Sequence, residues 1–291
     1  MFAGILDQTV SGLANGAIYA SVALALVMIY TTTDHINFAQ GEMALFSTYL
    51  GWWLISAGLD YWTAFAATIV ASMAMGGLIE RILIRRTEGQ SMLVLIVVFI
   101  GLMILLNSLA GVLFGYETKS IESPFNESVW GAVPHVGPHQ LGMLTVILAM
   151  LGLVYLFFRF TSLGLKMRAA AQNPISSRLV GINVGAMLCL GWALAAGIGA
   201  AAGMMTAPLV YLEPNMMSGI IIYAFAGALL GGIDNPWGAA VGGFLLGIIE
   251  TLAGSYLVGT DLRLTVALLV IIVVLLARPR GLFGKQMVVR V

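Results

Sequence analysis

The chain has 291 residues, 60% of them hydrophobic and only 9% charged, where an ordinary soluble domain carries about 25% charged residues. With a mean hydropathy of +1.00, that composition excludes a soluble fold and identifies an integral membrane protein. Thirteen basic residues balance thirteen acidic ones, but no Lys or Arg precedes Arg81, so the position of the charges is more informative than their sum.

Crossing about 30 Å of hydrocarbon takes roughly 20 apolar residues in a helix. Such segments recur at approximately 10–30, 38–57, 62–84, 91–114, 141–160, 184–209, 216–231, 238–257 and 263–277. The expected fold class is all-α, a single polytopic domain over residues 1–291 with about nine crossings, in a range of eight to ten. Most of the chain lies in lipid or against other helices, and no nucleic-acid partner is expected. At the start, MFAGILDQTV has Asp7 where a cleaved signal peptide would carry basic residues, so the first apolar segment is expected to stay as a spanning helix.

Residues 31–42 interrupt the apolar pattern without any Lys or Arg, and read either as a loop or as a break inside the membrane. Non-helical backbone at membrane depth is tolerated only where protein or a water-filled cavity satisfies its polar groups. Here Asp34, His35, Asn37, Gln40 and Glu42 lie next to or within a span. A charge near the bilayer centre costs about 2.5 to 3.5 kcal/mol on insertion scales. Glu42 is therefore expected either at the water interface or inside with a partner or a function. Asp34, His35 and Glu42 lack a metal-ligand spacing, and His135 and His139 fall on an outer loop as solvated histidines, so no metal site is expected. The single cysteine, Cys189, excludes an internal disulfide and reads as a small core residue.

Eleven of the thirteen basic residues form three clusters: Arg81, Arg85 and Arg86; Arg159, Lys166, Arg168 and Arg178; Arg278, Arg280, Lys285 and Arg290. The positive-inside rule makes all three cytoplasmic, which puts the N-terminus outside and the C-terminus inside. Lys119 and Arg263 then fall on external loops beside acidic residues. The second cluster lies on a connector, residues 161–183, that carries no acidic residue and divides at Asn173–Pro174, where proline favours a helix start. A short amphipathic helix followed by a turn is expected there. It reads either as a handle for a soluble partner or as a basic connector near anionic lipid headgroups.

Residues 231–238 form a second interruption without basic residues, again a loop or a break. Glu250, inside the span that follows, either makes a structural hydrogen bond between helices or lines a transport path. Small-residue pairs at helix-contact spacing, Gly12/Gly16, Gly199/Gly203, Gly238/Gly242 and Gly243/Gly247, are assigned to internal packing. No G-x-S-x-G, H-E-x-x-H or paired intramembrane aspartates are present, so no catalytic residue is expected. Without a G-x-x-x-x-G-K-[ST] loop, any ATP used must be hydrolysed by another chain.

Taken in order, GLANGAIYASVALALVMIY (residues 12–30), INFAQGEMALFSTYLGWWL (36–54), MRAAAQNP (167–174), VGINV (180–184), LLGGIDNPWGAAVGGFLLGIIETLA (229–253) and RPRGLFG (278–284) resemble one family over nearly the whole chain. It is that of the permease subunits of ATP-binding-cassette importers for branched-chain amino acids, in the hydrophobic amino-acid uptake group. The resemblance implies a ten-helix-like type II importer architecture in a bacterial cytoplasmic (inner) membrane. It also implies a second homologous permease sharing one path, two ATPase subunits and an external binding protein that selects the cargo; no cofactor is implied. Asn37, Gln40, Glu42 and Glu250 are expected beside the translocation path. The 164–183 stretch looks like the family's coupling helix, with Gly164, Arg168, Asn173, Pro174 and Gly181 expected to serve ATPase coupling; Arg168, Asn173 and Gly181 stand on matching positions. Ile175, Ser176 and Ser177 depart from the Glu-Ala-Ala often seen there, and Asp34-His35 and Asp234-Asn235 depart from small or apolar residues. Urea and short-amide permeases share much of the pattern. A secondary transporter would instead couple ions through Glu42 or Glu250, and a channel would need a ring of polar groups repeated by symmetry.

Overall fold

The computed structural model describes residues 2–33, 35–87, 89–125 and 137–284; Asp34, His135, Lys285 and Arg290, each named above, lie outside them. Among the described residues the elements are α1 Phe2–Thr33, α2 Gln40–Ser56, α3 Tyr61–Ile82, α4 Met92–Phe114, α5 Pro138–Phe160, α6 Ser162–Gln172, α7 Pro174–Leu179, α8 Val184–Val210, α9 Met216–Gly231, α10 Pro236–Ala253 and α11 Arg263–Ala277. The π-helical turn Gly254–Val258 extends α10. Each apolar segment read from the sequence overlaps one of these helices, and α6 and α7 occupy the basic connector.

Among the described residues, seven helical runs are long and apolar enough to cross a membrane unaided. α2 and α9, with 17 and 16 residues, rise only about 25 Å, less than the roughly 30 Å of hydrocarbon. Nine crossings read from hydropathy thus resolve, among the described residues, into seven runs of this length, α11 reaching it only with the 3-10 turn Thr260–Leu262 before it, and two shorter helices held by their neighbours. Burial sorts them into layers. Residues 16–29 of α1 are buried on every face, the mark of a helix surrounded by protein. α4 buries one stripe, Leu95, Phe99, Leu102, Leu106 and Ala110, at helical spacing, while α11 buries Ala267 alone. The other faces of those two helices are left to lipid or a partner chain.

Glycine sets the closest approach. A Cβ on Gly12 would sit 2.9 Å from the Cα of Ile248, and one on Gly16 2.8 Å from the Cα of Phe244. Added carbons on Gly243 and Gly247 would enter the backbone of α1. On the other side of α10, a Cβ on Gly227 of α9 would lie 2.7 Å from the Cα of Gly243. α10 is therefore wedged between α1 and α9 by backbone contact, the arrangement that stabilises helices in lipid. Gly199 and Gly203 likewise let α8 meet α2, against Gln40, Ala44 and Thr48.

The two polar interruptions differ. Residues 35–39 are non-helical, yet Asn37 and Ala39 are buried, and the Gln40 side chain donates from Nε2 to the carbonyl of Ala195 at 3.0 Å. Ala195 lies in the middle of α8, so α2 starts inside the protein and this interruption is an interior break. Asn37 makes the break possible locally: its Oδ1 accepts from the amide of Ala39 at 3.0 Å, an Asx-turn that redirects the chain into α2. Residues 232–235 form a loop covered by the C-terminal segment, whose Leu282 and Phe283 amides donate to the carbonyls of Leu230 and Gly231 at 2.8 and 2.9 Å.

The α1–α10 seam predicts an asymmetric response to one added methyl group. Gly247→Ala should lower the thermal unfolding midpoint of the purified chain through overpacking of about 1–3 kcal/mol. Gly101→Ala, where nothing lies within 4 Å, should leave it unchanged or raise it slightly. Equal midpoints would contradict the close approach.

Candidate functional site

Three groups of polar residues stand out. The first surrounds the interior break. Glu42, in the first turn of α2, accepts from Asn107 Nδ2 at 3.0 Å, and the same amide donates to the carbonyl of Pro214 at 2.8 Å. Asn107 therefore joins α4, α2 and the segment before α9. The helix N-terminus adds a favourable dipole for the Glu42 carboxylate. Asn37, Gln40 and Glu42 are all buried, the first two completely. Gln40 Oε1, like the hydroxyls of Tyr49 and Thr68, is buried without a hydrogen-bond partner among the described residues. Phe38, between buried Asn37 and buried Ala39, is 47% exposed, so the break reaches the surface of the subunit. Sequence reading missed Asn107, although an amide inside the run MLVLIVVFIGLMILLNSLAG was the available signal.

The second group centres on Glu250, 1% exposed. Its Oε1 accepts from the Tyr19 hydroxyl and from Thr251 Oγ1, each at 3.2 Å, and Arg263 Nε stands 3.8 Å from Oε2. Tyr19 in turn stacks on Tyr223, with ring centroids 4.9 Å apart. These contacts tie α1, α9, α10 and the first residue of α11 together. Among the described residues Glu250 shares no hydrogen-bond partner with Glu42, so the four residues expected beside a path fall into two separate constellations. Arg263, read from the sequence as an external-loop charge, is the counter-ion of Glu250.

The third group is the basic connector. Thr161 caps α6 by accepting from the amide of Gly164 at 3.0 Å. A side chain on Gly164 would strike the Phe157 carbonyl and the Phe158 Cα, both 2.6 Å from an added Cβ, so glycine lets α6 fold tightly onto α5. α6 ends at Asn173, whose Oδ1 accepts from the amide of Ser176 at 2.9 Å and starts α7 with Pro174 in its first turn. The expected turn after the first helix is thus a second helix, because the asparagine cap and the proline both favour a new start. α7 stops at Gly181, φ +81°. There the amide of Ile182 donates to Ser177 O at 2.9 Å and that of Gly181 to Arg178 O at 3.1 Å. This is a Schellman closure, which needs a left-handed residue at Gly181. Ile175, Leu179 and Val180 project from this hairpin, 73%, 83% and 75% exposed. Behind it, Arg85 forks onto both oxygens of buried Glu80 and donates to Gly185 O at 2.7 Å, anchoring the entry to α8.

His139 corrects an expectation. Read as a solvated loop residue, it is buried in the first turn of α5, with Nε2 2.8 Å from Met205 O and Nδ1 2.8 Å from Ser123 Oγ. The histidine cross-links α5, α8 and the chain before α5, a role that composition alone does not reveal.

The family described as branched-chain amino acid transport system / permease component matches residues 8–275. LivH of Escherichia coli (strain K12), a high-affinity branched-chain amino acid transport system permease protein, is 32% identical over 308 residues, covering 100% of this chain and 99% of its own. BraD of Pseudomonas aeruginosa, of the same description, is 32% identical over 305 residues and 98% of both chains. Among solved structures, PsaBC from Streptococcus pneumoniae in complex with Fab shares the fold with a TM-score of 0.53, at 16% identity over 96% of this chain and 97% of that chain. An all-α bundle of this span pattern, matched by the family over residues 8–275 and by relatives over nearly the whole of both chains, belongs to the branched-chain amino acid transport system permease component family.

Proposed function

We propose that this chain is one membrane-spanning subunit of an ATP-driven importer that passes branched-chain or other hydrophobic amino acids into the cell across a bacterial cytoplasmic membrane. Residues 1–291 act as one permease domain, with the N-terminus outside and the C-terminus cytoplasmic. A second homologous permease completes the path, two ATPase subunits drive it, and an external binding protein delivers the cargo. Relatives named for branched-chain amino acid transport support the cargo class.

The observation that carries the coupling assignment is the α6–α7 hairpin. An exposed apolar cluster, Ile175, Leu179 and Val180, is flanked by the basic residues Lys166, Arg168 and Arg178. Apolar side chains presented on a rigid, capped element with a polar rim fit a protein partner better than a lipid surface. Gly164, Asn173, Pro174 and Gly181 serve this role by shaping the hairpin, and Arg168 by lying on its face. Asn37, Gln40 and Glu42 flank the path at the break, where unpaired acceptors such as Gln40 Oε1 can exchange hydrogen bonds with a passing solute. Glu250 contributes by fixing the path's wall through Tyr19 and Arg263.

Ala170→Pro should break α6, a change of about 3 kcal/mol. It should abolish both transport and cargo-stimulated ATP hydrolysis in the assembled complex, whereas Lys166→Ala, on an exposed position, should change neither. Normal ATPase binding and transport in both variants would overturn the coupling role. For the break, initial uptake rates at equal surface expression should fall severely in Glu42→Leu and comparably in Asn107→Leu, because each leaves a buried partner unpaired at about 1–3 kcal/mol. Glu42→Gln retains hydrogen-bonding capacity and should be milder. Wild-type rates in Glu42→Leu and Asn37→Leu alike would remove the break from the path.

A further inference from the structure

The turn that leads into α2 at the interior break presents one aromatic ring outward. Asn37 O accepts from the amide of Gln40 at 3.2 Å, and Ala39 stands at φ −79° and ψ 0°, so residues 37–40 form a type I turn with Phe38 in its second position. Such turns favour asparagine first, which Asn37 supplies, and proline second; nothing in the turn asks for an aromatic. The residues around the ring are fixed. Asn37 Oδ1 accepts from the Ala39 amide at 3.0 Å, its Nδ2 donates to Met43 Sδ at 3.6 Å, and Gln40 Nε2 donates to Ala195 O at 3.0 Å. Asn37, Ala39 and Gln40 are fully buried, whereas Phe38 is the one exposed residue between His35 and Trp52. These anchors hold the ring out of the bundle.

Depth decides what the ring meets. Ala195 lies near the middle of the 27-residue α8, and Phe38 is two residues from Gln40, within about 7 Å of that level. Non-helical backbone at this depth does not face lipid; it is buried in protein or lines a water-filled cavity. Subunit contacts gather several apolar anchors, and this stretch offers no second exposed side chain to build one. A water-filled path is the remaining neighbour, and the ring meets it between buried Asn37 on one side and Gln40 and Glu42 on the other.

We propose that Phe38 is the apolar seal of the translocation path. The ring narrows the path where the second permease completes it, and water leaves an apolar constriction, so hydrated ions are stopped between transport cycles. Carried on a turn and not packed into a helix interface, the side chain can change rotamer to let a cargo by while the anchors stay made. The seal rests on the reading that the break flanks the path, and it names no ligand.

Release of trapped radiolabelled rubidium tests the assignment, with the chain assembled with the second permease and ATPases proposed for it in sealed liposomes without ATP, binding protein or cargo. Phe38→Ala should raise the release rate at least about tenfold, and Phe38→Asn as much, because water wets a polar constriction. Phe38→Leu, which keeps an apolar side chain, should stay within about twofold of the unsubstituted complex. A role confined to shaping the turn predicts a different order, since asparagine suits turns better than leucine does. The second permease should co-purify equally with all three variants. Unchanged release in Phe38→Ala and Phe38→Asn alike, or release raised as much by leucine as by asparagine, would overturn the seal. Loss of the second permease from Phe38→Ala would also overturn it and make Phe38 a subunit contact. Unchanged release beside impaired uptake in Glu42→Leu refutes the seal alone, whereas wild-type uptake in both Glu42→Leu and Asn37→Leu refutes the path reading beneath it.

Discussion

Helices in lipid gain little from the hydrophobic effect by meeting one another, so this bundle depends on backbones brought into direct contact. The contact that organises the rest is α1 against α10, where Gly12, Gly16, Gly243 and Gly247 leave no Cβ at the points of closest backbone approach. With α1 held that close, the Tyr19 hydroxyl reaches Glu250 and stacks its ring on Tyr223. The far end of α1 lines a groove together with α6 and Trp237. From the same end the chain turns back through Asn37 to start α2 in the protein interior.

Buried acids mark each level of this arrangement, and each is answered differently. Glu42 accepts from a neutral amide at a helix start; Glu250 combines two hydroxyl donors with a more distant guanidinium; Glu80 receives a bidentate arginine. Removing one partner of a buried ionic pair leaves an uncompensated charge, which costs about 3–5 kcal/mol. These contacts therefore hold helices in register more than they add net stability. The exposed apolar tip of α7 is the opposite case: a rigid element with its caps satisfied and its apolar side chains left over.

Much of this was legible in the sequence. The helices follow from hydropathy because most apolar runs approach the length the bilayer demands, and the division at Asn173–Pro174 follows from a cap and a fixed φ. The spacing of the seam glycines also signalled close packing. Hydropathy carries no azimuth, however, so it could not show that Asn107 faces Glu42, that Arg263 turns inward to Glu250, or that His139 spans two helices. The interior start of α2 was equally hidden. A polar stretch of six or so residues reads the same at the water interface and inside a bundle until its hydrogen-bond partners are known, here the Ala195 carbonyl for Gln40.

Driving force is the point on which the reading of every buried carboxylate turns. It is measured most directly by reconstituting the chain with the second permease, ATPases and binding protein proposed for it in liposomes and following radiolabelled leucine uptake. With the ATPase sites and ATP on the same side of the membrane and no ion gradient, uptake against a leucine gradient should proceed, and it should stop when ATP is replaced by a non-hydrolysable analogue. Uptake sustained by a proton or sodium gradient without ATP would contradict ATP-driven transport and make Glu42 and Glu250 coupling carboxylates of a secondary transporter.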